Sequence, residues 1–262
     1  MCKPMSGVHT RRKVFWSEHT DSHHEIISEH GLKETDARGD INVLPFEIVP
    51  PDDDYSAPMS KWVYRLDMAG ISREIPSWYD AEKHEAAARA ALKEWAKSNM
   101  VRNAKELTLI RADEYKAVVL GKATQNKGTI LYNYGTVTNN YGTVTKNYGT
   151  VTYNSGNVTN NYGTVTKNYG NVTYNSGNVT KNYGTVTKNS GNVTYNDGTV
   201  TYNYGTVTKN SGTVTDNDGT VTKNYGTMTH YQKKSGVETN KASGVIIDRS
   251  GSVPKVTIGA GA

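Results

Sequence analysis

Between Asn126 and His230 one inward-type apolar position recurs every seven residues. The unit Asn-x-Gly-Thr/Asn-Val-Thr-x runs fifteen times, 105 residues in all, without insertion or deletion. The first copy, Asn126 to Tyr132, is degenerate and carries Ile130 in the valine slot; the last carries Met228. Within a copy, Thr-Val-Thr alternates polar, apolar, polar, which at a side-chain period of two puts valine on one face and both threonines on the other. The pattern predicts a short strand with valine inward. A coiled coil is excluded, because one valine per heptad makes no a/d pair and a glycine in every heptad costs roughly 1 kcal/mol each in a helix. Repetition at so short a period makes a solenoid, each unit burying its apolar side on its neighbours. Glycine, third in the copy, is expected at the corner in a backbone conformation closed to residues with Cβ. The asparagine two before it is expected to bond neighbouring backbone or to stack as a ladder of amides.

The variable positions set an expectation for the coil. At every third copy from Asn140, the second residue is Tyr141, Tyr162, Tyr183, Tyr204 and Tyr225, and the seventh is Lys146, Lys167, Lys188, Lys209 and then His230. This 21-residue super-period predicts a triangular β-helix with seven residues per side, 21 per coil and about five coils, rising about 4.8 Å per coil. A two-sided solenoid of 14 residues per coil carrying a duplicated 21-residue segment leaves the same pattern, and a trimer of intertwined chains is a third arrangement. One valine per heptad is a thin core, which amide ladders, tyrosine stacking or other chains would have to supplement.

Ahead of the repeat, mixed sequence reads as a small α+β head over residues 1–122, with the solenoid at 123–230 and a capping tail at 231–262. Val8 to Trp16 reads as a strand pair. Asp21-Ser22 caps a short helix through Glu29 that Gly31 ends, and Ile41 to Val49 is a central strand despite Pro45. Lys61 to Asp67 alternates as a half-buried strand. Ser77 with Asp80 resembles a capping box for a helix through about Ser98 that shows Ala88, Ala91, Leu92 and Trp95 on one stripe. Strands follow at Leu107 to Ile110 and at Tyr115 to Leu120.

Charge separates the same segments. Residues 1–125 hold 18 basic and 20 acidic side chains, the repeat seven lysines and three aspartates, and the tail five basic against two acidic, so the net +5 belongs to the C-terminal half. The repeat has no arginine, and its lysines are too sparse for a phosphate-backbone track, so nucleic-acid contact through Lys and Tyr rows is a minor reading. Cys2 has no partner for an internal disulfide. No apolar run suits a signal peptide or a membrane span, which predicts a cytoplasmic or virion-associated protein. Asn157, Asn171, Asn178 and Asn192 head Asn-Val-Thr acceptor triplets, read here as repeat grammar.

Met1-Cys2-Lys3, Ser22-His23-His24-Glu25-Ile26-Ile27, Pro76-Ser77-Trp78-Tyr79-Asp80, Ala91-Leu92-Lys93-Glu94-Trp95-Ala96 and Leu107-Thr108-Leu109 resemble an uncharacterised module of bacteriophage and prophage proteins. In that group the module covers about the first 120 residues and precedes short-period repeat tails of differing sequence. The resemblance implies a phage or mobile-element setting and a constant head with an exchangeable repeat surface; it implies no activity.

Chemistry is sparse. His19, His23 and His30 are weak metal candidates among nearby carboxylates, but neither HExxH nor paired CxxC spacing occurs, and no nucleophile or phosphate-loop motif is present. The expectation is a non-enzymatic protein without a cofactor. Its solenoid would present Tyr141, Tyr162, Tyr183, Tyr204 and Tyr225 beside Lys146, Lys167, Lys188 and Lys209 to a polymer, a glycan or a protein. A second reading is ice binding through an outward array of threonine pairs: Thr143 with Thr145, Thr164 with Thr166, Thr185 with Thr187, and Thr206 with Thr208. A third is a trimeric fibre or virion component.

Overall fold

A computed structural model describes residues 5–18, 20–35, 40–68, 74–102, 106–230, 236–240, 244–248 and 255–259. The chain divides into two compact units, Met1–Met100 and Val101–Ala262.

In the first unit β1 (Ser6–His9), β2 (Val14–Phe15), β3 (Leu44–Val49) and β4 (Val63–Leu66) make an antiparallel sheet in the order β2-β1-β3-β4. Val8 faces Phe15 across the expected strand pair, and β3 is central, as its apolar run requires. Helix α1 (His23–Glu29) starts where Ser22 accepts a hydrogen bond from the Glu25 amide. Just past its end Gly31 takes φ 60°, the left-handed conformation that favours glycine. Helix α2 (Ala81–Asn99) is capped by Asp80 itself, whose side chain accepts from the Lys83 amide at 2.9 Å; the expected Ser77–Asp80 box is therefore shifted three residues along. Ala88, Ala91, Leu92 and Trp95 are buried on one stripe of α2. Glu47, buried in β3, is balanced by Arg65 at 2.6 Å.

The second unit is built as a β-solenoid, whose ladder runs over residues 100–247. It opens with β5 (Met100–Val101), β6 (Glu106–Ile110), β7 (Tyr115–Val119) and β8 (Lys122–Asn126). Fifteen repeat strands follow at seven-residue intervals, from β9 (Thr129–Asn133) to β23 (Thr227–His230). Beyond them lie β24 (Gly236–Asn240), β25 (Val245–Asp248) and β26 (Lys255–Ile258). Even-numbered strands from β6 to β24 form one ten-stranded sheet. Odd-numbered strands from β5 to β25, with β26 added antiparallel, form another of twelve strands. Each strand pairs in parallel with the strand two copies away, as Val165 does with Val179 and Val186 with Val200.

The coil is therefore two-sided with 14 residues per turn, and the expectation of a triangular coil of 21 is corrected. The reason is volume. Every repeat valine is completely buried, and the valines of both sheets merge into one file from Ile130 to Met228. One valine from each of two facing strands fills a slot between sheets, whereas three would leave the centre of a triangle empty, and interiors are close-packed. The ladder also passes both expected boundaries. β6 and β7, which lack the heptad, already hold ladder positions, and β24 and β25 continue it past His230.

At the corners, the asparagine side chains turn inward and are fully buried, forming the expected amide ladders, one along each edge. Asn182 Nδ2 donates to Asn196 Oδ1 at 2.7 Å and lies 3.1 Å from the carbonyls of Gly184 and Thr199; Asn168 Nδ2 donates in turn to Asn182 Oδ1 at 2.8 Å. The main-chain carbonyl of the same asparagine accepts both the Asp197 and the Gly198 amides of the next coil. Ile110 and Val119 occupy the asparagine register at the start, so the ladders begin at Asn126 and Asn133, whose buried Oδ1 atoms receive no donor.

Corner glycine is explained differently from the expectation. Among the described glycines only Gly31 has a positive φ. A Cβ on Gly184 would instead sit 2.2 Å from the Gly170 carbonyl oxygen of the preceding coil, so the position is reserved for glycine by close stacking.

Candidate functional site

Four outward positions recur on each coil. The fourth and sixth residues of a copy stand on the strand face, the seventh at the strand end, and the second at the corner that follows. A spacing of 21 on a coil of 14 carries a residue to the opposite sheet each time. The expected row is therefore split: Tyr141, Tyr183 and Tyr225 lie along one edge, and Tyr162 and Tyr204 along the other. Lys167 and Lys209 stand on the even sheet beside the first edge, and Lys146 and Lys188 on the odd sheet beside the second.

Reading the sequence at 14 brings Tyr162 and Tyr183 against Tyr148 and Tyr169, which the 21-residue reading missed. Tyr134, Tyr148 and Tyr162 stack at 5.0 Å between centroids, and Tyr169 stacks on Tyr183 at 4.9 Å. Ammonium groups cover other rings. Lys146 lies 5.1 Å from the Tyr132 centroid, Lys167 4.9 Å from Tyr153, Lys188 5.2 Å from Tyr204 and Lys209 5.0 Å from Tyr225. Ser190 and Ser211, at the corners below Tyr204 and Tyr225, leave the space into which these lysines lean. Tyr141, Tyr153, Tyr162, Tyr169, Tyr174 and Tyr195 are all exposed, Tyr141 by 55%. Tyr162, Tyr169 and Tyr183 are thus held by ring stacking and Tyr153 by the Lys167 ammonium, while all four remain exposed.

The expectation of one threonine array is corrected for the same reason. Thr143 and Thr145 lie on the odd sheet, as do Thr185 and Thr187. Thr164 and Thr166 lie on the even sheet, as do Thr206 and Thr208. The four pairs therefore face opposite ways in alternation and share no plane. Within one sheet, Thr187 is three coils from Thr145, and Thr208 three coils from Thr166. Asn157 and Asn171 interrupt the fourth-position row on the odd sheet, Asn178 and Asn192 on the even.

In the first unit the histidines of α1 are engaged separately. His23 Nε2 lies 3.0 Å from the Phe46 carbonyl and its Nδ1 3.2 Å from Asp67, while His30 Nε2 lies 3.0 Å from the Trp16 carbonyl. His19 lies outside the described residues. Among those described, no three His, Cys, Asp or Glu side chains converge as a metal site, and no helix is long and apolar enough to cross a membrane.

A polar knot lies beneath the sheet. His9, fully buried, stacks on Phe46 at 4.4 Å, meets the Tyr64 hydroxyl at 2.9 Å, and has His84 at 5.1 Å; Tyr64 in turn meets the Tyr79 hydroxyl at 3.1 Å. Burial, helped by nearby His84, pushes His9 down to about 3, and burial together with the Tyr79 hydrogen bond pushes Tyr64 up. A cleft of about 370 Å³ elsewhere in the unit is lined by Arg11, Arg12, Lys13 and Lys33 around Phe15 and Leu32.

No protein-family model matches the chain, and no curated protein or solved structure matches it either.

Proposed function

We propose that the chain is a non-enzymatic binding scaffold whose solenoid displays fixed rows of tyrosine, lysine and threonine to a polymer, glycan or protein partner. The observation that carries this reading is the recurrence of exposed tyrosine along both edges, Tyr141, Tyr169 and Tyr183 on one and Tyr148, Tyr162 and Tyr204 on the other, with Tyr148 stacked on Tyr162 and Tyr169 on Tyr183. Pre-set aromatic side chains lose little freedom on binding, and hydroxyl edges offer hydrogen bonds without a buried pocket. A monomer is the favoured state, because valine and asparagine are buried within one chain and the core asks nothing of a second. The resemblance of the head to phage and prophage modules supports a phage or mobile-element setting.

The test exploits the repeat's own grammar, in which serine alternates with tyrosine at the corner. Tyr141→Ser, Tyr169→Ser and Tyr183→Ser combined should leave melting near that of the parent, while affinity for partners found on glycan and protein arrays falls about tenfold or more. Unchanged affinity in a well-folded triple variant would remove the tyrosine edges from the binding surface.

Ice binding is a second reading, favoured by the unbroken sixth-position threonine rows. One runs from Thr138 to Thr222 and includes Thr166 and Thr208; the other runs from Thr145 to Thr229 and includes Thr187. Thermal hysteresis of the purified chain decides it, and freezing without hysteresis discards it.

A further inference from the structure

Seventh-position residues take on a different order once they are read along each sheet. On the even sheet, consecutive coils present Tyr153, Lys167, Lys181, Tyr195, Lys209 and Lys223, each in register with the next. This is a Tyr-Lys-Lys motif repeated every three coils, or about 14 Å at the strand spacing. The odd sheet carries Tyr132, Lys146, Asn160, Tyr174, Lys188, Tyr202 and Asp216, with its lysines isolated and an acid among them.

The even row is electrostatically unfinished. Lys167 is directly opposite Lys181, and Lys209 opposite Lys223, and like charges in register on neighbouring strands destabilise a sheet. One lysine of each pair leans onto a ring, Lys167 on Tyr153 and Lys209 on Tyr225. The other, Lys181 or Lys223, is exposed and in no ion pair among the described residues. From β10 to β22 the strands of this sheet carry no acidic residue on their outer face, where threonine, asparagine and tyrosine surround the lysines; one acid, Asp197, stands at the corner that follows β18, with Ser155 and Ser211 on the same edge.

We infer that the even face, centred on Lys181, Tyr195 and Lys209, binds a linear polysaccharide bearing carboxylates, laid along the solenoid axis. The inference rests on the scaffold reading above and names its ligand class. Paired ammoniums one coil apart suit carboxylates on neighbouring sugars of an extended chain. The flanking threonine hydroxyls and asparagine amides match sugar hydroxyls, and the tyrosines supply ring contacts. A nucleic-acid track calls for denser cations, and this row has no arginine.

The test uses the full-length chain with polygalacturonate, its fully methyl-esterified neutral form, and oligo-dT as probes. Two double variants, Lys181→Gln/Lys223→Gln on the even sheet and Lys146→Gln/Lys188→Gln on the odd, remove equal charge, and melting curves verify that each is folded. The expected result is binding to polygalacturonate that weakens about tenfold in the even variant and less than about twofold in the odd one. Equal losses in both overturn the face assignment, and equal binding of the esterified polymer overturns the anionic class; both leave the scaffold reading standing. Preference for oligo-dT, or binding to none of the three, overturns the inference, while the tyrosine-to-serine experiment decides the scaffold reading separately.

Discussion

His9 shows how a single residue couples burial to stability. Its imidazole is held down to about 3 against an ordinary value of 6.5, so between these pH values the unfolded chain binds a proton that the folded chain refuses. The contribution of His9 is intact above 6.5 and is lost as pH falls toward 3, at up to about 1.4 kcal/mol per pH unit. All four tryptophans, Trp16, Trp62, Trp78 and Trp95, lie in the first unit, so their fluorescence reports on it alone. Denaturant titrations followed by tryptophan should show a shallower acid loss in His9→Phe than in the parent, and superimposable pH profiles would refute the assignment. In the solenoid the corresponding single-residue constraint is steric. Gly184→Ala brings Cβ against the main chain of the preceding coil at Gly170 and Tyr169. The carbonyl cannot swing away as a side chain can, so the coils must part, at a cost of about 3 kcal/mol or more. Thermal melting by circular dichroism checks this, and a near-parental midpoint would show that the stack has slack.

At the scale of the element, the asparagine ladder has a direction. Each Nδ2 from Asn126 to Asn210 donates to the amide oxygen of the following coil, so only the first amide of each file lacks a donor. Removing Asn182 leaves Asn196 Oδ1 buried without a donor, because Asn182 Nδ2 was its partner. Removing Asn126 only transfers the existing orphan to Asn140. Asn182→Val should therefore destabilise the solenoid more than Asn126→Val, by about 1–3 kcal/mol, the cost of one unsatisfied buried acceptor. Equal losses at the two sites would mean that the ladder is worth no more than its packing volume.

The whole molecule poses the question of its ends. Parallel strands leave unpaired main chain at each terminus of the ladder, which invites edge-to-edge association. Residues 236–240 and 245–248 pair with the last repeat strands, and β26 then folds back antiparallel on β25. Deleting residues 231–262 exposes the edges of Thr220–Asn224 and Thr227–His230. Light scattering should then find oligomers or fibres where the parent is monodisperse, and a truncated chain that stays monodisperse would show that the ends are protected by other means.

The heptad by itself determined that Val165 and its equivalents face inward and that Thr164 and Thr166 face out. It also offered the corner asparagines two roles, bonding neighbouring backbone or stacking as amide ladders, because hydrogen-bonding capacity is a local property of the chain; the structure uses both at once. The heptad did not determine the coil. Every copy offers the same inward valine and asparagine, so closing after two copies or three satisfies the pattern equally, and the 21-residue surface rhythm carries no weight in the core. Only the tertiary structure decided for 14, because two facing valines fill the space between sheets and three would not fill a triangle. That choice in turn decided which outward residues are neighbours. Tyr141 and Tyr162, one row in the sequence, stand on opposite edges, and Thr187 and Thr208, one array in the sequence, stand on opposite sheets. Lys167 and Lys181, unrelated at a spacing of 21, stand side by side. The start of the solenoid was equally illegible, since β6 and β7 pair through main-chain groups, which any sequence of strand-forming residues supplies.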